Sequence, residues 1–173
     1  MSRAGYSASM SPVMTRARTS TGAGVIAILL LVLAFGNQAY VEWAAKHAQG
    51  ANAWDLLLRT LAWPKWFVTS GGNASRDVIA FDIRALLLIV FVAALLGMAG
   101  ANVVGGSGAF IVGWFAVIAG AALAALLTAF ITTDASFYNA LQSAASASIY
   151  GLFVGWIVGI MAALTRRPAV SAA

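Results

Sequence analysis

The chain alternates between long uncharged stretches and short charged segments. Between Arg18 and Glu42 nothing is charged, and Val25 to Phe35 contains nine Val, Ile, Leu or Phe residues. At about −0.3 to −0.6 kcal/mol apiece, nine such residues favour bilayer insertion by roughly 3–5 kcal/mol. A second uncharged stretch runs from Ala85 to Thr133, more than one membrane crossing requires. Gly105, Gly106, Ser107 and Gly108 interrupt it, and such a run readily takes positive φ and ends helices. The pattern predicts a helical hairpin with a tight turn. The last uncharged stretch, Ala135 to Thr165, stops at Arg166, Arg167 and Pro168.

These runs are too long and too uniformly apolar for barrel strands, which would alternate in polarity. The expected fold is an all-α integral membrane protein with four transmembrane helices, near 22–42, 82–103, 109–132 and 140–165. A disordered basic tail covers 1–21, a loop covers 43–81, and a short tail covers 168–173.

The loop carries its own periodic pattern. Asn52 is placed to cap a short helix. Trp54, Leu57, Leu58 and Leu61 follow at i, i+3, i+4 and i+7, with Asp55 and Arg59 as i, i+4 partners on another face. This predicts an amphipathic helix lying in the membrane interface and ending before Pro64. Trp43, Trp54, Trp63 and Trp66 all fall in this loop, and indoles favour headgroup depth. They serve as an interfacial anchor, or as a surface that contacts lipid or a partner protein. Gly71, Gly72 and Asn73 predict a flexible turn into the second crossing.

Lipid tails give helices no hydrophobic reason to associate, so close van der Waals contact must hold them together. Gly151, Gly155 and Gly159 recur every four residues, extended by Ala147 and Ala163. Ala116, Gly120, Ala124, Thr128 and Thr132 form a second ridge, and Ala93, Gly97 and Ala101 a third. Such ridges pack within one chain or form a contact with a partner subunit or a second copy. Asn139, Gln142, Ser143, Ser146 and Tyr150 share one face of the last helix, whereas Leu152, Trp156 and Ile160 occupy another arc that suits lipid. The polar strip either lines a shallow water-filled vestibule or hydrogen-bonds a neighbouring helix.

Composition narrows the function. Of 173 residues, 62% are hydrophobic and 9% charged, far below the roughly one quarter charged of a soluble domain. The net charge of +5 is scattered among the ends of apolar runs, so no basic track for nucleic acid exists. With no Cys there is no disulfide or thiolate chemistry. Abundant Ala and a preference for Arg over Lys suggest a GC-rich bacterial genome, hence a cytoplasmic membrane. Arg3, Arg16, Arg18, Arg166 and Arg167 cluster near the crossing ends and place both termini in the cytoplasm. Lys46, Arg59, Lys65, Arg76 and Arg84, more dispersed, vote less strongly for the loop.

Within the apolar runs the only ionisable residues are Asp82 and Arg84, near one end of the second. Ion-coupled transport, proton pumping and voltage sensing need such groups deeper in the membrane. The single His, His47, lies in the loop and cannot supply paired haem ligands. No cofactor or metal site is expected. The leading expectation is a non-catalytic accessory, assembly or scaffold subunit of a larger membrane complex, docked through Trp54, Trp63 and Trp66 and the faces of Gly151, Gly155 and Gly159. A rival is a small oligomeric channel or facilitator lined by Gln142, Ser143, Ser146 and Tyr150. A further rival is a membrane enzyme whose Glu42, His47, Asp77 and Asp82 converge in the loop.

Overall fold

The computed structural model describes residues 12–68, 75–100, 105–131 and 136–165, with side chains in the first stretch from Ser20 onward. The expected turn at Gly71–Asn73, the tail 168–173 and the ridge members Ala101 and Thr132 lie outside the described residues. Those residues are 85% helical and include no strand. The helices are α1 (Pro12–Phe35), α2 (Gln38–His47), α3 (Ala53–Leu61), α4 (Ser75–Gly100), α5 (Gly106–Thr128) and α6 (Phe137–Leu164).

The three long helices α4, α5 and α6 contain 26, 23 and 28 residues. At 1.5 Å per residue each is about 35–42 Å long, enough to cross a hydrocarbon core of about 30 Å. All three are apolar enough to cross a membrane. The large apolar side chains point outward: Leu86, Val90, Ile111, Phe115, Leu152 and Trp156 are all exposed. The interior is rich in small and β-branched residues, including Ala121, Ala124, Val92, Val117, Val154 and Val158, with Leu88, Leu96 and Tyr150 among them. Large apolar side chains exposed along all three long helices are suited to lipid rather than to water. The chain is a membrane protein.

Helices α1, α4, α5 and α6 pack in a ring, α1 against α4, α4 against α5, α5 against α6, and α6 back against α1. The expected first crossing, 22–42, is not one straight helix. α1 ends at Phe35 and α2 departs at 61°. Asn37 makes the break: its Oδ1 accepts from Tyr40 N at 2.9 Å, capping α2, while its Nδ2 donates to Ala34 O at 2.7 Å. Gly36 makes room for it, because a Cβ there would collide with the carbonyl of Pro64. α1 also opens at Pro12, inside the tail expected to be disordered, and proline suits a first helical turn.

The second crossing likewise begins early, at Ser75 rather than 82, with Asp77 in the helix's first turn where its charge favours the dipole. Of the glycine run, only Gly105 takes positive φ, at +88°; Gly106 to Gly108 already belong to α5.

Candidate functional site

The segment 36–68 folds over one end of the ring and forms a cap. α3 begins where its sequence predicts, with Asn52 Oδ1 accepting from Asp55 N at 2.8 Å. The expected Asp55–Arg59 ion pair is replaced by a different arrangement. Asp55 is buried and its Oδ2 accepts from Gly50 N at 2.7 Å and Asn52 Nδ2 at 3.2 Å. Arg59 donates instead to the Gly50 carbonyl at 2.8 Å and the Asp55 carbonyl at 3.4 Å. The carboxylate sits inside the cap–helix turn, so backbone donors reach it before the guanidinium does. α3 packs on α6 with Leu58 buried, but Trp54, on the same predicted stripe, is 65% exposed.

The indoles divide into two groups. Trp43 and Trp54 are exposed. Trp63 and Trp66 turn inward, where they hold the cap to the helices. Trp66 N donates to Gly36 O at 2.8 Å and its Nε1 to Val32 O at 3.2 Å. Trp63 stacks on Tyr150 with ring centroids 5.1 Å apart. Tyr150 shares a sequence stripe with the polar residues of α6 but is 1% exposed, so it belongs to the core.

The glycines of α6 face α5. A Cβ at Gly151 would strike the backbone of Ile118, one at Gly155 would lie 2.8 Å from Trp114 O, and one at Gly159 2.6 Å from Phe110 O. All three are buried within the chain, with α5 occupying the surface they would otherwise present. Trp114 Nε1 donates to Leu152 O at 3.0 Å across the same seam. Gly120 of α5 approaches Val92 of α4 in a similar way, but Gly97 is exposed with no neighbouring atom near its Cβ position. The third predicted ridge therefore makes no contact at its centre.

The rest of the polar strip is different. Asn139, Gln142, Ser143 and Ser146, together with Trp63 and Arg84, line an open vestibule of about 380 Å³. The volume lies within the range of about 300–1,000 Å³ typical of ligand pockets. Below it the bundle axis is filled by Tyr150, Val154 and Val158, each no more than 1% exposed. The vestibule is blind.

Arg84, in sequence only one of the charges that bear on topology, has a specific setting in the structure. It lies in the early turns of α4, and its Nη2 donates to Trp63 O at 3.1 Å. Its guanidinium carbon lies 4.8 Å from the Trp63 ring centroid and 5.0 Å from that of Phe81. Its Nε is buried with no protein partner. A charge at the edge of an apolar run was the available signal, since ionisable groups there mark candidate sites. Lys65 Nζ stands 3.9 Å over the Phe81 ring. Burial, and then the positive charge of Arg84, push the Lys65 amine below the usual lysine range, against a smaller opposite effect from Asp77.

The loop acids and imidazole do not gather. Glu42 Oε1 accepts from Gln38 Nε2 at 2.9 Å, and Asp82 Oδ1 accepts from Phe67 N at 2.9 Å. His47 stacks on Trp43 at 4.9 Å, with Nδ1 2.8 Å from the Trp43 carbonyl. Among the described residues no three His, Asp or Glu side chains come together at metal-binding distance. The chain matches no known protein family, no characterised protein and no solved structure. Its function has to be argued from this geometry alone.

Proposed function

We propose that the chain is a four-span protein of a bacterial cytoplasmic membrane that acts by binding, as an accessory or scaffold subunit of a larger membrane complex. In this reading α1, at 24 residues, is the fourth crossing, and α2 turns away from it into the cap. It fits because α1 contributes Ile28 and Val32 to the same core as the three long helices. The cap then lies on the extracytoplasmic face with α3 at the interface, and the Arg-bearing tails lie in the cytoplasm.

The observation that carries a binding rather than a catalytic role is the dispersal of the loop's reactive groups among separate partners. Asp55 and Asp82 accept from backbone N–H groups, and His47 is stacked on Trp43. Catalysis of this kind needs an acid and a base within reach of one substrate. Among the described residues these side chains engage separate partners, and no three His, Asp or Glu side chains meet. The blind end of the vestibule at Tyr150 likewise favours a binding pocket over a conduit within one chain.

For docking, the inward turn of Trp63 and Trp66 and the burial of the α6 glycines shift the available surface to Trp43, Trp54 and Leu56, which are exposed on the cap. Aromatic residues of this kind are common anchors at interfaces. A photoreactive phenylalanine analogue placed at Trp54 tests the reading in native membranes. A discrete heteromeric adduct of fixed mass is expected. Adducts with lipid alone would reduce the cap to a membrane anchor.

A further inference from the structure

We propose that the vestibule between the cap and α6 is a binding site for an oxyanion carried on a hydroxylated group, with Arg84 as its charge partner. The site is independent of the subunit role proposed above.

The case begins with the guanidinium. Trp63 and Phe81 lie within 5.0 Å of its carbon, and one of its nitrogens donates to the Trp63 carbonyl. Among the described residues no carboxylate contacts it. Its neighbour Asp82 is engaged by Phe67 N, and the nearby cation Lys65, 3.9 Å from the same Phe81 ring, adds positive charge. A cation set among aromatic rings without a counter-ion is costly unless an anion completes it. Guanidinium suits a phosphate or carboxylate best, because its planar fork makes parallel hydrogen bonds to two oxygens.

The remaining wall defines what carries the anion. Asn139, Gln142, Ser143 and Ser146 present two amides and two hydroxyls to the same cavity. Amides and hydroxyls both donate and accept, which matches sugar-like or glycerol-like hydroxyl groups. The Trp63 indole adds an apolar surface for a small carbon skeleton. A cavity of about 380 Å³ accommodates a phosphate together with a glycerol or ring-sized substituent. The same chemistry occurs in the headgroup of an anionic lipid and in a free phosphorylated solute.

The test uses the full chain purified in a neutral detergent and follows its thermal unfolding midpoint during titration. One arm adds phosphatidylglycerol, with phosphatidylcholine as the zwitterionic control. The other adds glycerol 1-phosphate, with glycerol as the uncharged control. A rise with phosphatidylglycerol alone assigns the site to a lipid headgroup; a rise with glycerol phosphate, whatever the lipid does, assigns it to a free anion. Arg84→Gln should weaken whichever response occurs by about tenfold or more, as loss of a charge-assisted pair does. Because Arg84 also holds Trp63, a second variant keeps the test decisive. Gln142→Glu leaves that contact in place but puts a carboxylate in the same cavity to compete for the guanidinium, and should weaken the response similarly. No response to either anion, or a wild-type response in Gln142→Glu, would overturn the proposal.

Discussion

The α5–α6 seam and the cap end of the same helix pair solve opposite problems. Along the seam, Gly151, Gly155 and Gly159 bring backbone to within contact of Ile118, Trp114 and Phe110, and nothing larger than hydrogen fits at those positions. A few turns away, at the start of α6, the helix surface carries amides and hydroxyls and stands clear of its neighbours around an open cavity. The seam gains stability from dispersion between close-packed atoms. The vestibule gives up that packing and keeps a cation among aromatic rings. One helix thus divides its length between holding the bundle together and bordering an open cavity.

The largest effect should come from breaking the seam. Gly159→Ala places a methyl group 2.6 Å from the Phe110 carbonyl oxygen, and the obstacle is backbone, which cannot rotate away. A loss of about 2–3 kcal/mol is expected, at the upper end of overpacking costs. Leu152→Ile, on the exposed face of the same helix, should change stability by about 0.5 kcal/mol or less. Unfolding in a denaturing-detergent titration measures both. Equal losses would mean that the seam is not where the bundle is held.

A smaller effect is expected at the cap. Trp63→Ala removes the stack on Tyr150 and the face covering Arg84. It should cost about 2 kcal/mol, below a full core truncation because the indole is only half-buried. Trp54→Ala, 65% exposed, should cost about 0.5 kcal/mol or less. The same unfolding assay separates the two.

This division of the indoles marks what the sequence could convey. Three long apolar helices, the Asn52 cap and the glycine spacing of α6 were legible, because each is a local or periodic signal. The roles of Trp63 and Trp66 were not. Their partners, Tyr150 and Val32, are distant in sequence, and a tryptophan beside proline looks the same whether it faces lipid or a tyrosine ring. Arg84 was hidden for the same reason. Its position near the end of a crossing suggested topology, and only the cap folded onto it discloses a cation without a carboxylate partner among the described residues. The bend at Asn37 was in principle readable as a capping residue, but the uncharged run around it outweighed that signal.

The smallest predicted effect concerns pH. Burial and Arg84 hold the Lys65 amine below its ordinary range. Between that lowered value and the ordinary one, the unfolded chain binds more protons than the folded one, so stability should rise with pH through this window. Below the window Lys65 is charged in both states and its burial is a constant cost. Lys65→Met should flatten the rise seen on the alkaline side of neutrality. An unchanged slope in that variant would place the titrating group elsewhere.

The most direct test of the account as a whole uses the absence of cysteine from the chain. Single cysteines at Ser146, in the vestibule wall, and at Ser171, near the C-terminus, are exposed in turn to a membrane-impermeant maleimide in intact cells. The account predicts that Ser146→Cys is labelled and Ser171→Cys is labelled only after the cells are opened. Labelling of Ser171→Cys in intact cells, with Ser146→Cys protected, would contradict it.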